Sequence, residues 1–311
     1  MIKIGLVSAI LPDLSLRQIG DFGGEIGLEC VEAMTWPADS PKTHKYCSVQ
    51  HVDVDAPVSK IKDDIAYIES KGVKLSSIGI YSNKPNLLTE GNEPFVRHVK
   101  KMMELAPQIG LTMVTGFAGR DWTKSVEANW PKLIEVFNEL MAVADANGVK
   151  FGLENCPMFF SKDEWPGGTN IATSPKIWRR LFNDVKSPNL GLNYDPSHMV
   201  WQHMDYIKPI KEFKDRIFHV HIKDTYIDDD KLNDVGIMAT PLEYHVPKLP
   251  GLGSIDWGKF FAVLTDVGYE GPACIEVEDP AFQEDLESRK IAINQSLQYV
   301  RQFMLNRATP A

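Results

Sequence analysis

Four short stretches decide the fold: residues 151–156 (FGLENC), 191–198 (GLNYDPSH), 218–224 (FHVHIKD) and 273–279 (ACIEVED). Each begins as an apolar run of the kind that forms a buried strand. Each carries ionisable side chains at or near its end: Glu154, Asp195 with His198, His219 with His221, and Glu276. Each is followed by a loop and then a helix-like segment. One acid at a strand end means little, because it is as readily a surface residue or an ion-pair partner. Four such ends in chain order describe one divalent cation held at the mouth of a parallel barrel.

The same alternation extends through the rest of the chain. Strand-like runs fall at 2–7, 28–34, 73–80, 111–115, 149–154, 190–195, 217–222 and 273–277. Between them lie helix-like stretches. Residues 57–70 place Val58, Ile61, Ile65 and Ile68 at helical spacing, and 94–109, 130–146, 175–182, 256–267 and 284–304 read similarly. Ser254 or Asp256 is a helix-start signal, and Gly72, Gly110, Gly148 and Gly268 stand where helices should stop. Strands and helices in alternation predict an α/β protein, a (β/α)8 TIM barrel, as a single domain over residues 1–311. A doubly wound open sheet is the competing reading. It calls for a glycine-rich turn after the first strand, and SAILPDLS has none.

Three connections are long: 35–57, 156–174 and 225–253. All follow strands, so they share the barrel face that carries active sites. They bring Trp36, Trp165 and Tyr244, with Trp122 and Trp201 after the fourth and sixth strands. Flat rings stack on the apolar faces of sugars, and equally pack under a lid.

Composition narrows the function. The net charge of −9 shows no basic stripe of the kind nucleic-acid binders carry. No run of about 20 apolar residues suits a membrane span. The opening MIKIGLVSAI reads as a buried strand rather than a signal peptide, since Pro12 and Asp13 follow without a cleavage pattern. Cys30, Cys47, Cys156 and Cys274 are widely spaced, which implies no disulfide framework and fits a reducing cytoplasm.

Glu154, Asp195, His221 and Glu276 end four consecutive strands. Adjacent strands lie about 4.8 Å apart, so inward side chains on them can meet at a point. Three carboxylates and one imidazole suit Mn²⁺ first, with Mg²⁺, Co²⁺ or Zn²⁺ as alternatives, and no organic cofactor is called for. His219 shares the inward face of His221 one layer deeper, as a substrate contact or a support for the ligands. His198 lies one turn beyond Asp195 and could bind a substrate hydroxyl. Lys223 faces outward by strand alternation unless the strand has already ended, in which case its ammonium could stabilise an oxyanion. Trp36 and Trp122 are candidate sugar platforms. Glu32 is a weaker pocket candidate, Glu278 is left without a role, and Arg120 reads as solvated. The amides of Gly251 and Gly253 in PGLGSIDW could cradle an anion or form a plain turn.

GLEN at Glu154, YDPSH at Asp195 and His198, HVHIKDT from His219, PGLGSIDW, and GYEGPACIEVED at Glu276 resemble the xylose-isomerase-like TIM barrels, the sugar phosphate isomerase/epimerase group. The resemblance covers residues 149–279 by specific motifs and the first half by general pattern. In ketose 3-epimerases of this group, the residues matching Glu154, Asp195, His221 and Glu276 bind the metal. Those matching Glu154 and Glu276 also act as acid and base, and the residue matching His198 contacts substrate. Related AP endonucleases use a three-zinc cluster with histidines after the third and fourth strands, where this chain has none.

The resemblance thus implies a divalent-metal-dependent sugar or sugar phosphate isomerase or epimerase working through a cis-enediolate, with two glutamates as acid and base. Its partner would be a small sugar or keto-glycoside, with no nucleic acid and no membrane, and with homo-oligomers open. The long 225–253 segment keeps a lyase or hydrolase acting on 3-keto-glycosides in view. A non-catalytic sugar-binding barrel or a partner enzyme's subunit is the reading from another class.

Overall fold

The computed structural model describes residues 1–37, 48–81, 84–159 and 161–304. Ten strands occur among them: β1 Lys3–Val7, β2 Cys30–Met34, β3 Lys74–Ile80, β4 Met113–Gly116, β5 Lys150–Glu154, β6 Leu190–Tyr194, β7 Ile217–Ile222, β8 Asp224–Ile227, β9 His245–Lys248 and β10 Pro272–Ile275. Eight close a barrel in the order β1-β10-β7-β6-β5-β4-β3-β2, and every neighbouring pair is parallel. Parallel neighbours need a crossover between them, and helices packed outside the barrel provide it. The core therefore has two shells, one inside the barrel and one between strands and helices.

Local chemistry fixes where the helices begin and end. Ser15 and Gln18 form a reciprocal capping box at the start of Leu16–Ile26, and Gly27 ends that helix at φ 78°. In the helix Val58–Ser70, the apolar spacing buries Ile61, Ile65 and Ile68. The helix expected from Trp130 starts earlier, at Val126, with Ser125 accepting from the Ala128 amide. Pro131 therefore sits inside the helix, in its second turn. Asp256 caps Trp257–Asp266 as expected, accepting from the Lys259 amide.

Two departures bear on the site. After β6 there is no long helix, only the short turns Ser197–Val200 and Lys208–Glu212. After β7 the chain leaves the barrel as an antiparallel hairpin, β8 with β9, and the helix Asp229–Val235 lies between its strands. Two four-residue strands separated by polar turns give no readable period, so the sequence showed only a long loop there. The described parts of the three long connections follow β2, β5 and β7 and so leave the C-terminal face of the barrel, as expected, while residues 38–47 and 160 lie outside the described residues.

Cys30 and Cys274 are buried free thiols and Cys156 is half-buried, while Cys47 lies outside the described residues. Among the described residues, no helix is long and apolar enough to cross a membrane.

Candidate metal centre and active site

Four strand ends place four side chains at one point. Glu154 is the last residue of β5, Asp195 follows β6, His221 is next to last in β7, and Glu276 follows β10. One donor atom from each lies within 4.8 Å of all the others. Buried strands hold the backbone rigid up to the residue that bears the charge, which gives the cluster its precision.

Lys223 and His198 share this space. β7 stops at Ile222, so Lys223 turns inward and is only 3% exposed. Its Nζ lies 2.8 Å from Glu276 Oε2, 3.2 Å from Glu278 Oε2 and Asp195 Oδ2, and 3.8 Å from Glu154 Oε1. His198 Nε2 is 3.2 Å from both Glu154 Oε1 and Asp195 Oδ2. Its Nδ1 accepts from the Trp201 indole at 3.2 Å. An indole only donates, so the proton of neutral His198 sits on Nε2, facing the carboxylates.

Charge balance bears on a cation. Glu32, Glu154, Asp195, Glu276 and Glu278 contribute five carboxylates against the single ammonium of Lys223. Burial alone would raise the Asp195 carboxyl, but His198 and Lys223 hold it at about 2. Burial likewise opposes ionisation of Glu154, and His221, His198 and Lys223 hold it well below the usual carboxylate range. Both are therefore ionised near neutrality. Burial pushes Glu278 upward, against the pull of Lys223.

Two of the buried side-chain atoms without a hydrogen-bond partner among the described residues belong to these four side chains: Asp195 Oδ2 and His221 Nδ1. The contacts of Lys223 and His198 with Asp195 Oδ2 are within ion-pair distance without hydrogen-bond alignment. His221 Nδ1 is 3.3 Å from Glu276 Oε2 and 3.5 Å from Glu154 Oε1. A ring lone pair facing two carboxylate oxygens is repulsive unless positive charge lies between them. A proton on Nδ1 would serve, and so would a cation. Orphaned donors of this type, in a set of three carboxylates and an imidazole, fit a hard divalent ion.

A pocket opens above the cluster. Trp36, Tyr81, Phe117 and Met158 supply apolar surface to it. Glu154, Lys223, Glu276 and Glu278 supply its charge. The short helical turn after β6 explains how His198 comes back over Asp195 within three residues.

The sequence profile of the xylose isomerase-like TIM barrel family matches residues 24–303. The chain belongs to that family. Among curated relatives, the uncharacterized protein YfiH of Bacillus subtilis is 27% identical over 315 residues, covering 89% of this chain and 93% of YfiH. An inosose dehydratase of Clostridium perfringens is 32% identical over 167 residues, covering 52% of each chain. The chain thus spans about half the length of the dehydratases it matches. Among solved structures, a D-psicose 3-epimerase crystallised in the presence of D-fructose superposes with a TM-score of 0.70 at 13% identity, covering 97% of this chain and 99% of the epimerase. At that identity the likeness is one of fold.

Within this xylose isomerase-like barrel, several expectations change. His219 lies one layer deeper than His221, as expected, and of its two readings the burial favours support over substrate contact: it is 0% exposed, with Nδ1 at 2.9 Å from Asn193 Oδ1 and Nε2 at 3.2 Å from Ser76 Oγ. Trp122 is not among the described residues that line the pocket; its ring packs under Lys84 Nζ, 4.1 Å from the centroid. Trp36 does reach the pocket. Glu32 is not a pocket residue either, being 0% exposed and hydrogen-bonded beneath His221. Arg120 is half-buried rather than solvated, donating to the carbonyls of Gly167 and Lys124.

The amides of PGLGSIDW hold an anion of the chain's own. Asp224 accepts from Gly251 N at 3.0 Å, Ile255 N at 3.2 Å and the Trp257 indole at 2.9 Å. A Cβ at Gly253 would lie 2.2 Å from Asp224 Oδ1, so glycine there is a requirement of close approach. Residues the sequence reading did not single out are Tyr81 and Asn193. Uncharged polar side chains inside strand-like runs carry no charge pattern that could have flagged them.

Proposed function

We propose that this barrel removes the proton alpha to the carbonyl of a polyhydroxylated ketone and returns it, as a sugar isomerase or epimerase. The observation that carries this reading is the meeting of Glu154, Asp195, His221 and Glu276 at one point, with two buried donors left unpartnered. A divalent cation held by these four, manganese first among the candidates, would supply Lewis-acid polarisation of the ketone.

The chain's own groups do the rest. Glu154, ionised at neutral pH, takes the α-proton, and Glu276 delivers a proton to the same carbon from the other side. His198, with its proton on Nε2, donates to a substrate hydroxyl. Trp36, Tyr81 and Phe117 cover the apolar face of the sugar and exclude water.

A second reading has its own support in Lys223, an ammonium buried in the site, and in the inosose dehydratase relatives. Here the same enediolate expels a β-hydroxyl. The α-proton goes to a glutamate, Lys223 gives a proton to the departing oxygen, and an unsaturated ketone and water result.

The test is incubation of the manganese-loaded protein in deuterium oxide with neutral ketoses, inososes and keto-glycosides. Deuterium entry at the α-carbon of recovered or epimerised sugar is the expected outcome. An ultraviolet-absorbing unsaturated ketone identifies the elimination branch. If no compound of the panel exchanges or eliminates, both readings are overturned.

A further inference from the structure

We propose that Glu32 is a positioning residue that fixes the tautomer and ring orientation of His221, leaving Nδ1 free to hold the cation; the inference rests on the metal reading above. Glu32 reaches the point from β2, across the barrel. Its Oε2 lies 2.6 Å from His221 Nε2. Its Oε1 already accepts from two hydroxyls, Tyr81 Oη and Thr115 Oγ1. An ionised carboxylate only accepts, so the atom shared with Oε2 is a proton on His221 Nε2. Asn193 Nδ2 also lies 2.9 Å from that nitrogen, but a protonated Nε2 cannot accept from an amide. The amide proton goes instead to Tyr81 Oη at 2.8 Å. Once Nε2 carries the ring proton, the neutral imidazole presents a bare lone pair at Nδ1, the atom buried without a partner between Glu154 and Glu276.

The backbone is irregular at these residues. The β2–β3 register shifts between Val31 and Glu32, and the β6–β7 register shifts between Leu192 and Asn193. Such bulges re-aim side chains near active sites, and here they fall at the two residues that flank His221 Nε2. Gly79 leaves the room: a Cβ there would lie 2.9 Å from Glu32 Oε1 and 2.6 Å from Thr115 Oγ1. A carboxylate behind a metal-bound histidine sets the ring and strengthens its donor nitrogen.

The experiment titrates wild type and Glu32→Gln with Mn²⁺ against a chelating dye, and records the Co²⁺ absorption spectrum of each. The expected result is a loss of about 10- to 100-fold in affinity and a changed Co²⁺ spectrum, with the far-ultraviolet circular dichroism of the metal-free proteins alike. Equal affinities with superimposable Co²⁺ spectra overturn the proposal while leaving the metal reading in place. Should Glu32→Gln fail to fold, wild-type protein with nitrogen-labelled histidine and bound Zn²⁺ decides by magnetic resonance. His221 protonated on Nε2 and bound through Nδ1 supports the proposal, and the opposite tautomer overturns it. A wild-type protein that binds none of the three ions removes the metal reading and this inference with it.

Discussion

Lys223 brings an ammonium to 2.8 Å from Glu276, in the middle of four acidic side chains. It separates the two chemistries proposed here. Reprotonation of an enediolate needs only a carboxyl pair, whereas expulsion of hydroxide needs an acid at the neighbouring carbon. Lys223→Gln is expected to lower elimination by about 100-fold while deuterium entry at the α-carbon stays within about fivefold. Parallel loss of both would assign Lys223 to proton abstraction instead. Glu154→Gln and Glu276→Gln are each expected to lower deuterium entry by about 1,000-fold with weaker but measurable metal binding. Normal exchange in either variant would end the two-carboxylate scheme.

At this scale the sequence was legible where charge interrupts an apolar run, which is how Glu154, Asp195, His221 and Glu276 stand out. For Lys223 it left the answer to where the strand stops: on a longer β7 the side chain would point outward, and it is the first residue beyond Ile222. Glu32 and Asn193 were obscured because their register depends on bulges, which no period reveals.

Elements tie the loops over the pocket. The β8–β9 hairpin is held at its base by Asp224, whose carboxylate accepts from Thr225, Gly251, Ile255 and Trp257. Asp224→Ala would strand these donors in a buried place. The expected cost is about 3–5 kcal/mol, read as a fall of roughly 5–8 °C in melting temperature. An unchanged melting curve would show that water takes the carboxylate's place.

Higher on the hairpin, His245 stacks on Trp201, with ring centroids 5.0 Å apart and planes 11° from parallel. Burial first, then the neighbouring His198 and Lys223, depress it from 6.5 to about 3. A closed hairpin therefore holds His245 neutral, while an opened one takes up a proton. Hairpin docking is complete above pH 6.5 and weakens progressively as pH falls toward about 3. Hydrogen exchange across residues 224–248 is expected to accelerate over that window in wild type and to lose its pH dependence in His245→Phe. A flat wild-type profile would contradict the assignment.

The hairpin was hidden in the sequence because its strands have four residues each. The eight barrel strands were visible because parallel strands covered on both faces are apolar throughout. Their ends shifted by one or two residues where a flanking apolar residue such as Leu28 or Val277 joins the core without joining the ladder.

For the whole molecule, a cation held at the proposed centre would act as a staple over four adjacent strands of the closed sheet, since its donors stand at or just past the ends of β5, β6, β7 and β10. A cation bound only by the folded form stabilises it by about 2.7 kcal/mol at a hundredfold excess over Kd. Manganese is therefore expected to raise the melting temperature by roughly 4 °C, and a chelator to reverse the rise. No shift with Mn²⁺, Co²⁺ or Zn²⁺ would count against the staple. Glu154→Gln with His221→Asn should abolish the shift without preventing folding. The barrel itself was readable from alternation of strand and helix, because that order leaves few ways to cover a parallel sheet.

Asp224 also has a consequence for recognition. The socket of amides ahead of the last crossover helix is already plugged by a carboxylate of the same chain. A phosphorylated guest would meet that negative plug instead of open amides, and would find no handle there. On the proposed reading, grip on the substrate would fall to its hydroxyls and to the greasy side of its ring, against Trp36, Tyr81 and Phe117, which line the pocket. Swapping a tail at the far end of the sugar should then matter less than inverting one hydroxyl beside the ketone.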